Sequence, residues 1–261
     1  MIPYSTQDIN QSDIDAVIAV LKSDFLTQGP QVPLFEKNVH NYCGAQYGVA
    51  VNSATSALHI ACLALGLSKG DWLWTSPNSF VASANCGLYC GAQVDFVDIN
   101  PQTYNLCPDA LEQKLIRAKA ENKLPKIIIP VHFAGQSCGM QRIHKLSKEF
   151  GFNIIEDASH AIGGKYLDKP IGGCQYSDIT VFSFHPVKII TTAEGGLATT
   201  NQLELADKMQ MFRAHGVTRD PKLMTKKTEG GWYYQQLELG YNYRMNEIQA
   251  ALGVIQMERL D

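Results

Sequence analysis

Between residues 48 and 199 the chain alternates short, apolar, β-branched segments with stretches of helical periodicity, and few folds accept that pattern. Residues 48–52, 72–75, 94–97, 126–131, 153–156, 179–183 and 196–199 read as strands. Helical spacing fills 56–65, 79–89, 109–119 and 139–150. Two further helices precede the first strand, one ending at Leu21 with Ser12 as its N-cap and one over 33–42. Short strands with interleaved helices predict an α/β domain: a mostly parallel seven-stranded sheet with helices on both faces.

Composition narrows the function. The chain has 261 residues, 45% hydrophobic and 18% charged, with a net charge of −3. That balance offers no electrostatic case for nucleic acid or an anionic membrane as partner. The first residues turn polar soon after Met1, and no run of about twenty apolar residues suggests a membrane span. Seven cysteines without a spaced framework predict reduced thiols and a cytoplasmic protein. Cys86 and Cys90, lacking a second pair, read as small buried residues on a helix rather than a metal site. No metal is expected. The amphipathic pattern over 246–260 runs to the end of the sequence, so a further domain is expected downstream.

In open α/β sheets ligands gather at the carboxyl ends of the strands, and the residues found there suit one cofactor. The strand over 48–52 leads into Asn52-Ser53-Ala54-Thr55-Ser56, small residues opening a helix whose first amides are free for an anion. A plain Ser N-cap would give the same pattern. Neither G-x-G-x-x-G nor a P-loop is present. Phe80 follows the second strand, fit either for core packing or for stacking on a planar ring. Asp157 and His160 follow the fifth strand; an aspartate there pairs with a buried cation or caps a helix. After the sixth strand Ser183 leads to Lys188, whose apolar neighbours Val187, Ile189 and Ile190 suggest desolvation and a nucleophilic neutral amine. Lysine, acid, aromatic wall and anion cradle together are what pyridoxal 5′-phosphate requires.

Three motifs then stand out: Glu156-Asp-Ala-Ser-His-Ala161, Phe182-Ser-Phe-His-Pro-Val-Lys188 with Thr191-Thr-Ala-Glu-Gly-Gly196, and Gly240-Tyr-Asn-Tyr-Arg-Met-Asn-Glu-Ile-Gln-Ala250. With them, the sequence resembles the DegT/DnrJ family of sugar-nucleotide aminotransferases, of the fold-type I pyridoxal phosphate class. Asn52-Ser-Ala-Thr-Ser-Ala-Leu58, Pro3-Tyr-Ser5 and Leu26-Thr-Gln-Gly29 are most similar to the branch supplying pseudaminic acid precursors. The resemblance implies that Lys188 is the Schiff-base lysine, that Asp157 holds the pyridine nitrogen protonated and that Phe80 stacks on the ring. It implies that Ala54, Thr55 and Ser183 hold the phosphate, with Asn242 contributed by the neighbouring subunit of a homodimer. His160 stands near the ring hydroxyl, where many relatives have glutamine. Tyr4, Asp24, Phe25, Leu26 and Thr27 are implied to line the sugar-nucleotide pocket. The implied reaction moves an amino group from L-glutamate to C4 of a UDP-linked 4-keto-6-deoxy-N-acetylhexosamine. Relatives acting on other keto-sugar nucleotides, and non-catalytic regulatory ones, are the alternatives. A dehydratase branch carries histidine in place of the lysine, so Lys188 speaks against it. Residues 1–245 are expected to form the cofactor-binding large domain, and 246–261 to begin the helix leading to a smaller one.

Overall fold

The structure is a computed structural model that describes residues 5–226, 228 and 230–261. Its centre is a seven-stranded sheet: β1 (Tyr47–Val51), β2 (Trp72–Thr75), β3 (Gln93–Phe96), β4 (Ile127–Ile129), β5 (Asn153–Asp157), β8 (Ile179–Ser183) and β9 (Gly196–Thr200). Two small hairpin pairs stand apart, β6 (Lys165–Tyr166) with β7 (Lys169–Pro170) and β10 (Val217–Thr218) with β11 (Gln235–Gln236). The sheet order is β1-β9-β8-β5-β4-β2-β3. From β8 through β3 every pairing is parallel, whereas β9 runs antiparallel to both β1 and β8. The expected sheet is therefore present, with one reversed strand inserted near its edge.

Among the described residues eight α-helices surround it: α1 (Gln11–Leu21), α2 (Gln31–Cys43), α3 (Ala54–Ala64), α4 (Ala82–Tyr89), α5 (Pro108–Ala120), α6 (Met140–Phe150), α7 (Leu203–Arg213) and α8 (Glu247–Met257). Side chains alternate across a strand, so each strand feeds two cores. On one face Val49, Val51, Leu73, Ile127, Ile129, Ile155, Ile179, Val181 and Ala198 pack with α3, α4 and α7. On the other face Trp74, Ile128 and Ile154 pack with α5 and α6, while Ala50, Phe182 and Leu197 pack with α2 and α8. Helix α7 has no counterpart in the sequence reading. Its segment Leu-Glu-Leu-Ala-Asp-Lys-Met-Gln-Met-Phe-Arg opens with strand-like alternation, yet Leu205, Ala206 and Met209 fill the core under α3.

Parity also sorts the polar residues. Asp157 shares the face of Ile155, toward α3 and α4, while Glu156 faces the opposite side. There Glu156 accepts from His132 Nε2 at 2.8 Å, from Ser177 Oγ at 2.5 Å and from Thr180 Oγ1 at 3.2 Å. His132 Nδ1 accepts from the Cys138 amide at 3.2 Å, which assigns the remaining ring proton to Nε2. Burial alone would raise the Glu156 pKa, but the three donors outweigh it and hold the carboxyl below its usual range. Among the described residues no helix is long and apolar enough to cross a membrane.

Candidate active site

A cavity of about 510 Å³ opens at the carboxyl ends of the parallel strands, on the α3 and α4 side. Ser53, Ala54 and Thr55 line it from the start of α3, Ser79 and Phe80 from the turn before α4, and Asp157, Ser159 and His160 from the end of β5. Ser183, His185, Lys188 and Glu194 close it from the 183–194 stretch. The expected residues Ala54, Thr55, Phe80, Asp157, His160, Ser183 and Lys188 thus come together.

The start of α3 depends on close packing. Ser53 is the N-cap of α3, its Oγ accepting from the Ser56 amide at 3.1 Å. The plain N-cap reading of this segment is therefore observed, and the amides of Ala54 and Thr55 remain without intrahelical acceptors. Gly196 opposes Val51 on one side and Ser183 on the other. A Cβ there would stand 2.4 Å from the Ala54 nitrogen and 2.5 Å from the Ser53 carbonyl carbon. Glycine is what lets the helix start sit directly on the sheet.

Asp157 is 4% exposed and held on both oxygens. Ser83 Oγ donates to Oδ2 at 2.6 Å; Ser159 donates to Oδ1 from its Oγ at 2.6 Å and its amide at 3.1 Å. Its backbone is fixed by Asp157 N to Pro130 O and His132 N to Asp157 O, each 3.0 Å. Three donors hold the carboxylate in one orientation. It caps no helix. Ser83 and Ser159 were missed in the sequence, where a small hydroxyl residue is indistinguishable from a turn or cap.

Lys188 lies in a bend whose amide donates to His185 O at 2.8 Å. Val187 and Ile189 are exposed and only Ile190 is buried, so the apolar flanks are not what desolvates the lysine. Its side chain is half-buried because it lines the cavity. That burial lowers its pKa, opposed by the Asp157 carboxylate. Burial likewise lowers His160, with Lys188 adding to the effect and Asp157 opposing it. His160 is therefore a cavity residue and not a core histidine. Among the described residues neither Lys188 nor Glu194 has an ion-pair partner.

The loop bearing them leaves and re-enters the sheet at one point, Phe184 N donating to Gly195 O at 2.9 Å. Ala193 takes a left-handed φ of +63° where the loop turns toward Glu194. Phe80 is 75% exposed, which rules out core packing and leaves its ring free at the cavity wall. It precedes α4, which begins at Ala82 and not at Ser79.

Other expected residues lie elsewhere. Asn242 is exposed, outside the cavity of its own chain, its carbonyl accepting from Asn52 Nδ2 at 3.5 Å. Asp24, Phe25, Leu26 and Thr27 are exposed on the loop between α1 and α2, which Glu247 N pins by donating to Leu26 O at 3.1 Å. They do not line the cavity. Tyr4 lies outside the described residues. No group of three or more His, Cys, Asp or Glu placed to hold a metal occurs among the described residues.

Residues 7–261 match the model of the DegT/DnrJ/EryC1/StrS aminotransferase family. The chain belongs to that family. It is 41% identical over 261 residues to the UDP-4-amino-4,6-dideoxy-N-acetyl-beta-L-altrosamine transaminase of Campylobacter jejuni, spanning 100% of this chain and 65% of that protein. Among solved structures it is similar to Helicobacter pylori PseC, an aminotransferase involved in pseudaminic acid biosynthesis. There the TM-score is 0.88 and the identity 36%, over 99% of this chain and 65% of that one. It is also similar to the PLP-form of a sugar aminotransferase from Streptococcus pneumoniae, described as putative, with TM-score 0.86 and 31% identity over 99% of this chain and 66% of that one. The α/β sheet is thus the fold-type I arrangement of these aminotransferases.

Proposed function

We propose that the protein is a pyridoxal phosphate-dependent sugar-nucleotide aminotransferase. It takes an amino group from L-glutamate and delivers it to C4 of a UDP-linked 4-keto-6-deoxy-N-acetylhexosamine in the branch leading to pseudaminic acid. The observation that carries this reading is the cavity that gathers Lys188, Asp157, Phe80 and the start of α3. The cofactor's donors and acceptors fit these residues. The uncapped amides of Ala54 and Thr55, with the Ser183 hydroxyl, suit a phosphate; Gly196 leaves them room. The doubly anchored Asp157 suits a protonated ring nitrogen, and the exposed face of Phe80 a planar ring.

When bound, the cofactor supplies an aldehyde and an electron-withdrawing ring. The residues do the rest. Lys188, its amine made easier to deprotonate by burial, would hold the cofactor at its aldehyde and carry the proton to and from the reacting carbon. Asp157 would hydrogen-bond the ring nitrogen, and His160 would hydrogen-bond the ring's polar edge. Tyr4, Asp24, Phe25, Leu26 and Thr27 would contact the sugar nucleotide outside this cavity. Residues 1–245 form the cofactor-binding domain and 246–261 lead toward a smaller one. The working unit is a cytoplasmic homodimer in which Asn242, exposed on its own chain, completes the partner's phosphate site.

The test uses full-length protein. L-Glutamate alone should shift the cofactor's visible absorbance, and the keto-sugar nucleotide should restore it and yield a 4-amino sugar identified by mass and NMR. Borohydride reduction should fix the cofactor on Lys188. A label on another residue, or no absorbance change with donor, refutes the proposal.

A further inference from the structure

Asp157 is anchored at its carboxylate, but the strand that carries it is paired across a gap. β4 and β5 run in parallel register from Ile127↔Asn153 and Ile128↔Ile154 to the bridge Val131↔Asp157. Between those pairs stands Pro130, which has no N–H to give the ladder. The gap falls just where β5 reaches the cavity. Beyond it, Asp157 N donates to Pro130 O and His132 N donates to Asp157 O, each at 3.0 Å. His132 also grips β5 with its ring, which is fully buried. Nε2 donates to Glu156 Oε2 at 2.8 Å, and Nδ1 accepts from the Cys138 amide at 3.2 Å. One residue is thus bonded through its backbone to Asp157 and through its side chain to the residue before it. A strand end tied by its backbone alone can roll about its axis; a side-chain bond to the neighbour on the opposite face resists that roll.

We propose that His132 is a positioning residue for Asp157: its ring, bonded to Glu156, fixes the end of β5 so that the adjacent carboxylate meets the cofactor's ring nitrogen. This rests on the cofactor role proposed for Asp157 and goes beyond it, since neither His132 nor Glu156 lines the cavity. The neighbours of His132 do line it: Val131 and Phe133 stand in the wall while the ring between them points into the core. The same residue therefore couples the wall to the strand that bears the acid. The other donors to Glu156 act elsewhere. Ser177 and Thr180 tie its Oε1 to the start of β8, on the far side of β5 from β4. Only the bond from His132 joins Glu156 to the segment that also holds the Asp157 carbonyl.

The test titrates full-length apoprotein with pyridoxal phosphate by fluorescence and follows thermal unfolding of the same preparations. In His132→Gln the amide nitrogen reaches the place of Nε2 and keeps a donor for Glu156; in His132→Asn the shorter amide serves only the Cys138 side. Loss of one buried hydrogen bond corresponds to about tenfold, so His132→Asn should bind the cofactor about tenfold more weakly and His132→Gln like wild type. Ser177→Ala strips a donor from the same carboxylate but leaves the link to residues 130–132 in place. It should lower the unfolding temperature and leave cofactor affinity unchanged, whereas a merely structural role for the network would move both in every variant. Should His132→Asn not fold, Glu156→Asp, its carboxylate one methylene short of His132, replaces it with the same expectation. Wild-type affinity in His132→Asn, no rescue by His132→Gln, or equal weakening in Ser177→Ala overturns the proposal. Asp157→Asn tells the two readings apart: wild-type affinity there removes Asp157 from the cofactor site and this role of His132 with it. Weak binding in Asp157→Asn beside wild-type binding in His132→Asn overturns the role of His132 alone.

Discussion

Gly196→Ala tests the cradle most directly. An added Cβ would lie 2.4 Å from Ala54 N, 2.5 Å from Ser53 C and 2.6 Å from Ala54 Cα. All three are backbone atoms, so no side chain can swing away, and ordinary contact requires an opening of about 1 Å. The strand cannot yield it, because β9 is paired on both sides and Leu197 and Ala198 are fully buried. Further along α3, Ala57, Leu58, Ile60 and Ala61 are fixed in the core, so the shift falls on the first turn. Overpacking of this kind costs about 1–3 kcal/mol of stability. The displaced turn carries the proposed phosphate donors, and losing one charge-assisted hydrogen bond costs about 1.5–3 kcal/mol, about ten- to a hundred-fold in cofactor affinity. Thermal unfolding of the apoprotein reads the first effect and fluorescence titration with pyridoxal phosphate the second. Gly231→Ala, where a Cβ meets nothing within 4 Å, is the control and should change neither. An alanine at 196 that lowers stability but binds the cofactor as tightly as wild type would refute the cradle argument.

Ser83→Ala removes a 2.6 Å donor from buried Asp157 and should weaken pyridoxal phosphate binding by about 1–3 kcal/mol in a fluorescence titration; Ser83→Thr should restore it. Unchanged affinity in the alanine variant means Ser159 alone suffices. Glu156→Gln should cost about 1–3 kcal/mol at pH 7. Because folding depresses the Glu156 pKa, its stabilisation is complete above the unfolded value of about 4.3 and disappears as pH falls through the folded value. Urea unfolding at pH 7 and pH 4 should therefore show a smaller acid loss in the variant than in wild type; equal losses would assign the acid sensitivity elsewhere. Lys188→Ala should still bind the cofactor but yield no borohydride-stable adduct, and adduct formation in that variant would remove Lys188 from its role.

The sheet was legible because a strand buried on both faces reads as a short, nearly continuous apolar, β-branched run: 127–129 is Ile-Ile-Ile and 179–183 Ile-Thr-Val-Phe-Ser. The reversal of β9 was not, since strand direction depends on where the chain returns after Lys188 and not on the residues of 196–200 themselves. The cavity residues Lys188, Asp157, Phe80 and the α3 start were visible by type and position at strand ends. The reason first given for Lys188 does not hold, because its adjacent neighbours Val187 and Ile189 are exposed and the cavity wall supplies the burial. Ser83 and Ser159 escaped notice because contacts across 74 residues, or around a turn, leave no periodic trace. Glu194 and His185 were likewise unremarked, each placed by a bend rather than by a strand. The segment from Asp24 to Thr27 was named by resemblance alone, and no side-chain chemistry in it pointed to the cavity.

Adjacent acids on β5 carry opposite duties, one anchoring the far side of the sheet and its neighbour serving the cavity, and only the pleat tells them apart. Substituting an apolar residue in this strand is a local matter, whereas deleting or inserting one would exchange the two carboxylates between compartments. Descent in this region should therefore tolerate changes of letter and forbid changes of length.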